Sequence, residues 1–136
     1  MISLATTKTT VENAIKIMVV EIVGDNLCIA SGDGQKVYEE IAVALRKGKN
    51  VILSFKNAED ITPAFLSRAI AQLYLTLPEE QIESCLSIVE LEPEDEEFLE
   101  YVIRDAKEYL ENPQRFAYAT LETLGADYLW ANKFIG

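Results

Sequence analysis

The sequence contains no histidine. That removes Ser-His-Asp and Cys-His catalysis, histidine general bases and histidine-bearing zinc or iron sites in one step. Cysteine is almost as scarce: Cys28 and Cys85 lie far apart, each within an apolar run and without ligand-like neighbours, as expected of buried thiols in a reducing compartment. Cations are few, 12 Lys+Arg against 23 Asp+Glu in 136 residues, a net charge of −11. Such a chain repels phosphate backbones and anionic headgroups, so neither nucleic acid nor a membrane surface is expected as a partner. The one basic run, Arg46-Lys47-Gly48-Lys49, reads as cations complementing a helix C-terminus. No apolar run reaches the 18 or so residues of a membrane span, and Met1–Thr10 lacks a signal-like apolar stretch, so a cytoplasmic protein is expected.

What is present is enough apolar material, 49% of residues, for one self-sufficient core. The β-branched run 14–23, the turn cluster Gly24-Asp25-Asn26 and the run Leu27–Ala30 predict a β-hairpin. Val37, Ile41, Ala44 and Leu45 share one helix face, predicting a helix from Gln35 to about Lys47 that stops at Gly48, with Ser31 or Asp33 as its cap. Val51–Phe55 reads as a central strand. Thr62 before Pro63 predicts a capped helix with Leu66, Ala69, Ile70, Leu73 and Leu77 inward, ending at Pro78–Gln81. Leu86–Leu91 reads as a strand with Leu86 and Ile88 inward. Glu92-Pro93-Glu94-Asp95 then opens a helix whose apolar face would be Phe98, Leu99, Val102, Ile103, Ala106 and Leu110, stopped at Asn112-Pro113. This order predicts an α/β sandwich with right-handed crossovers. The tail 112–136 carries Phe116, Tyr118, Leu121, Leu124, Tyr128, Leu129, Trp130, Phe134 and Ile135 and is expected to cover its own domain or a partner.

The stretch Lys49–Ile70, with Leu53-Ser54-Phe55, Ile61-Thr62 and Pro63-Ala64-Phe65 in succession, resembles the strand, loop and helix start of STAS domains, the fold of bacterial anti-sigma-factor antagonists. It is closer to the STAS-like domains of unknown function than to the antagonists. The resemblance covers roughly residues 14–111, leaving 1–13 as an N-terminal arm and 112–136 as an extension. It implies a STAS-like sandwich of about four strands in a mixed sheet, three main helices and a C-terminal helical extension. In the antagonists a serine at this helix start is phosphorylated, which breaks binding to a kinase whose ATP-binding fold is of the histidine-kinase type. That serine falls near Pro63 or Ala64 here, and neither accepts phosphate. The acidic residue usual in the strand is Ser54.

The resemblance therefore implies a non-catalytic signalling or adaptor module that docks a regulatory protein, a kinase-like ATPase or an anti-sigma-type partner, at the corner 57–68. Asn57, Asp60, Thr62, Phe65 and Arg68 are the candidate partner-binding residues, and Phe65 fits the core equally well. Thr62 is the candidate phosphoacceptor, although a plain N-cap explains it better. The alternative is a structural subunit that forms a homodimer or larger assembly through its apolar tail. No cofactor or metal is expected: Ser31-Gly-Asp-Gly34 matches neither glycine-rich phosphate loop, and the acids 92–97 lack the alternation of a calcium loop.

Overall fold

A computed structural model of the chain describes residues 3–4 and 14–112. The chain starts with β1 (Ser3–Leu4), β2 (Ala14–Met18), α1 (Val19–Val23) and β3 (Leu27–Cys28). It continues through α2 (Ser31–Arg46), β4 (Asn50–Ser54) and β5 (Asp60–Ile61). Then come α3 (Pro63–Leu66), a π segment (Ser67–Ala71), α4 (Leu73–Thr76), α5 (Glu79–Cys85), β6 (Leu86–Val89) and α6 (Pro93–Glu111).

Strands β6, β4 and β2 lie side by side, and the two-residue β1 extends the sheet beside β6. Every pair is parallel, so among the described residues the sheet is not the mixed one expected. A second, two-stranded parallel pair joins β3 to β5. Because the chain steps in one direction from β2 to β4 to β6, right-handed crossovers put the intervening helices on one face of the sheet. The register sets Ile15, Val51 and Leu86 in one row and Ile17, Leu53 and Ile88 in the next. All but Ile15, at the sheet edge, are buried. Lys16, Ile52 and Ser87 form a row on the opposite face.

The hairpin expected at 14–30 is not formed. The β-branched run breaks after Met18 into α1, which Gly24 closes in the left-handed conformation at φ 80° while its N–H bonds the Val20 carbonyl at 2.9 Å. Asp25 then accepts from the Leu27 amide, so the turn cluster is a helix C-cap followed by an Asx turn. Burial of Val19 and contact of α1 with α2 outweigh strand propensity. Helix α2 starts earlier than expected, at Ser31, and neither Ser31 nor Asp33 caps it; the N-cap is Ala30. Pro78 does not merely end a helix but is the N-cap of α5, whose first turn holds Glu79 and Glu80. On α6 the buried stripe is Leu99, Val102, Ile103, Ala106 and Tyr109, while Phe98 and Leu110 are exposed. Both are about 100° of helix rotation away from the buried residue next to them. The apolar tail from 113 onward lies outside the described residues.

The cysteines are free thiols, Cys28 buried and Cys85 half-buried. Burial, reinforced by Asp33 and Asp25, pushes the Cys28 thiol up to about 11, which keeps it protonated and inert. Among the described residues no helix is long and apolar enough to cross a membrane.

At Gly34 helix α2 approaches the helical run after Thr62 closely. A Cβ there would stand 2.7 Å from the Phe65 carbonyl oxygen and 2.9 Å from Arg68 Cβ, and the first of these is backbone. Gly34→Ala should therefore destabilise the fold by about 1–3 kcal/mol, despite the better helix propensity of alanine. Urea unfolding of the variant checks it, and unchanged stability would mean the two helices can move apart freely.

Candidate functional site

Two neighbouring regions flank the strand-to-helix corner. The first is the β3–β5 pair. Its register places Leu27 beside Asp60 and Cys28 beside Ile61. Glu59 N–H donates to the Asn26 carbonyl at 2.8 Å and Thr62 N–H to the Cys28 carbonyl at 3.1 Å, so the stitching continues past both ends of the pair. Alternation turns Cys28 inward, fully buried, and turns Leu27 and Ile29 outward, 38% and 47% exposed. Asp60 is exposed and Thr62 half-buried on that outward side.

Thr62 is the hinge pin of the corner. Its hydroxyl donates to the Ile29 carbonyl at 2.8 Å and accepts from the Phe65 amide at 3.1 Å, which makes it the N-cap expected from the sequence. Pro63 occupies the first helical position, where no donor is needed. Phe65 is fully buried and belongs to the core, so it offers no contact area to a partner. Arg68 is half-buried against α2, its Nε donating to Gln35 Oε1 at 3.1 Å, and burial lowers its pKa. Of the five candidate residues, then, Asp60 and Thr62 share one outward face; Phe65 lies beneath it, Arg68 turns to α2, and Asn57 faces a separate crevice.

That crevice, about 290 Å³, opens at the carboxyl ends of β4 and β6 and is lined by Lys56, Asn57, Glu90, Glu92 and Asp95 over an apolar floor that includes Phe55 and Leu91. Asn57 (φ 69°) and Glu90 (φ 62°) are the non-glycine residues with left-handed backbone among those described. Asparagine tolerates this region; glutamate rarely enters it. Glu90 is held by its carboxylate, which accepts from the Ser54 hydroxyl at 2.5 Å, while the same Ser54 oxygen accepts from the Lys56 amide at 3.2 Å. The carboxylate beside Ser54 thus comes from the residue that directly follows β6. Sequence reading missed Glu90, and also Leu27 and Ile29; a serine closing an apolar strand and an acid directly after the next strand were the available signals.

Asp95 sits in the first turn of α6, half-buried, and its pKa is raised by burial and then by Glu94 and Glu92. Among the described residues no group of three or more His, Cys, Asp or Glu is placed to hold a metal ion. The crevice offers carboxylates, one amide and one ammonium at its rim, a set suited to hydrogen bonding with a partner's polar groups.

Residues 33–96 match the family model described as a STAS-like domain of unknown function. No curated protein and no solved structure matches the chain. The matched stretch runs from the first turn of α2 to the first turn of α6 and contains residues 57–68 and both walls of the crevice, while β3, with Leu27 and Ile29, precedes it.

Two outcomes are expected. Thr62→Val removes the cap and orphans the Ile29 carbonyl, costing about 1–2 kcal/mol in chemical unfolding, while Thr62→Ser recovers most of it. The Asp95 carboxyl carbon should titrate by NMR with a midpoint above the ordinary aspartate value of about 3.9, and Glu92→Gln should lower that midpoint only in part, because burial is the larger cause. A raised folded pKa means the folded state binds the proton more tightly, so Asp95 favours folding as pH falls through this midpoint and opposes it as pH rises.

Proposed function

Taking residues 33–96 as a STAS-like domain of unknown function, we propose that the chain is a non-catalytic adaptor of a bacterial cytoplasm that docks a regulatory protein, of the kinase-like ATPase or anti-sigma type, through the outward face of the β3–β5 corner. The observation that carries this is the pairing of two exposed apolar side chains, Leu27 and Ile29, with Asp60 and Thr62 on a two-stranded platform fixed by backbone hydrogen bonds. Apolar groups that folding leaves outside on a rigid element, rimmed by charge, are what a partner surface needs. The Thr62 hydroxyl already serves as donor and acceptor, so its first role is to shape the platform. A phosphate on that oxygen would remove the donation to Ile29 and add charge at a helix start, which makes Thr62 a point of control within the same reading.

The test is affinity capture of the full chain from its native lysate, with and without ATP, beside the variants Ile29→Asp, Asp60→Lys and Thr62→Glu, each checked for native circular dichroism. We expect one specific protein on the wild type that Ile29→Asp and Asp60→Lys both lose. If wild type and Ile29→Asp retain the same proteins in the same amounts, the corner is not the docking surface. An unchanged yield with Thr62→Glu would remove Thr62 as a switch while leaving the docking face intact.

A further inference from the structure

A cavity larger than the crevice lined by Asn57 and Glu90 lies elsewhere among the described residues, along the outer edge of β2. Strand β2 pairs with β4 on one side only, and among the described residues nothing pairs with its other side, so alternate N–H and C=O groups of residues 14–18 face outward. Beside this edge a groove of about 650 Å³ runs between β2 and α2. Its floor is apolar: Ile15, Ile17 and Ile22 from the strand and α1, with Val43 and Ala44 from α2. Ile15 and Val43 are 40% and 50% exposed. The α2 side of the groove is a single helical stripe, Lys36, Glu40, Val43 and Lys47, spaced at three and four residues.

The charges along this groove are not mixed at random. As the crossover between two parallel strands, α2 runs opposite to β2, so its C-terminus lies at the starting end of the sheet. Lys47 and Lys49 therefore stand at that end, beside Ala14, which pairs with Asn50. Glu39 and Glu40 stand roughly 10 Å further along, about seven residues up α2, and Glu21 follows Met18 in the same direction. Lys36, one turn beyond Glu40, closes the far end, so the groove is cationic at its start, acidic in its middle and cationic again at its end; two such grooves laid antiparallel about an axis midway between Lys47 and Glu40 bring Lys47 and Lys49 of each against Glu39 and Glu40 of the other.

From this we infer that the β2 edge and its groove receive a second copy of this chain across a two-fold axis, β2 pairing antiparallel with its counterpart to make one continuous sheet. The two-fold makes the interface self-complementary: the same apolar floor and the same two charge clusters serve both subunits. Lys16 restricts the register. Pairing Lys16 with its own copy would oppose like charges, and centring the axis on Ile17, roughly level with Glu40, would set Glu40 against its own copy; centring it on Ile15 sets Lys16 across from Ala14 and keeps the charge clusters paired. The exposed Val43 and Ile15 are then buried together with the open backbone edge. This interface is independent of the β3–β5 corner, which lies at the opposite end of α2, and of the tail beyond residue 112.

Sedimentation velocity and light scattering on the full chain between roughly 1 and 100 µM, the range in which moderate edge-strand dimers dissociate, read the assembly directly. We expect a monomer–dimer equilibrium. Val43→Glu, Glu40→Lys and Lys47→Glu should each weaken it about tenfold, and the double reversal Glu40→Lys/Lys47→Glu should restore it to within about threefold, because the reversed charges meet again only across the two-fold. Within one subunit these two positions are seven residues apart on α2, too distant to rescue each other. Should Val43→Glu fail to fold, the three charge variants decide the matter. A monomer at every concentration, a dimer indifferent to Val43→Glu, a double reversal no better than the singles, or a dimer lost on removing residues 114–136 yet kept by the charge variants would each overturn the interface.

Discussion

The contact of α2 with the helical run after Thr62 is the constraint on which the rest of the structure depends. Two crossover helices must lie on one face of a narrow parallel sheet, and they can approach closely only because position 34 has no side chain. That approach sets Phe65 into the core, brings Gln35 within reach of Arg68, and fixes where Thr62 meets the Ile29 carbonyl. Through Thr62 it also holds β5 beside β3. The outward platform is thus a product of a helix crossing buried below it, and its rigidity derives from packing rather than from the short strands themselves.

Elements whose identity rests on a long periodic pattern were readable from residues alone. Helix α2 needed only Val37, Ile41, Ala44 and Leu45, and all four are buried. The strand β4 and the capped start at Thr62-Pro63 were equally plain, since an apolar run and an N-cap followed by proline each have one structural solution. The segment 14–30 was not readable, because the six β-branched residues of 14–23 favour a strand until a tertiary neighbour decides otherwise; Val19 buried against α2 tips it into a helix. Pro78 was misread for a related reason. Proline stops one helix and starts another with the same geometry, and only the packing of Ile82 distinguishes the two. Parallel against mixed pairing depended on the fate of that same N-terminal segment: once the hairpin is gone, no antiparallel partner remains among the described strands.

The candidate site was legible at Thr62 and only partly around it. Sequence proximity grouped Asn57, Asp60, Thr62, Phe65 and Arg68, whereas strand alternation and helix phase send them in different directions: outward, inward, sideways and into the crevice. The true neighbours of Thr62, Leu27 and Ile29, are more than thirty positions away and become visible only when β3 is laid against β5. Glu90 is a similar case, tied to Ser54 from the next strand. Long-range pairing in a parallel sheet is the information a single sequence does not display, since nothing local records which strand lies alongside.

The π segment has a bearing on how this chain can vary in length. At Ser67–Ala71 the Gln72 amide reaches back five residues to the Ser67 carbonyl, at 2.9 Å, so the helix accommodates one residue more than an α-helical turn would. The surplus is confined to that turn: Leu66, Ala69 and Ile70 before or within it and Leu73 and Tyr74 after it are all buried. In a regular helix one added residue would rotate everything downstream by about 100° and carry Leu73 out of the core. Here the wide turn takes up one residue without changing the phase of the later turns, so a chain one residue shorter within 67–71 would form an ordinary helix with Leu73 and Tyr74 still facing the core.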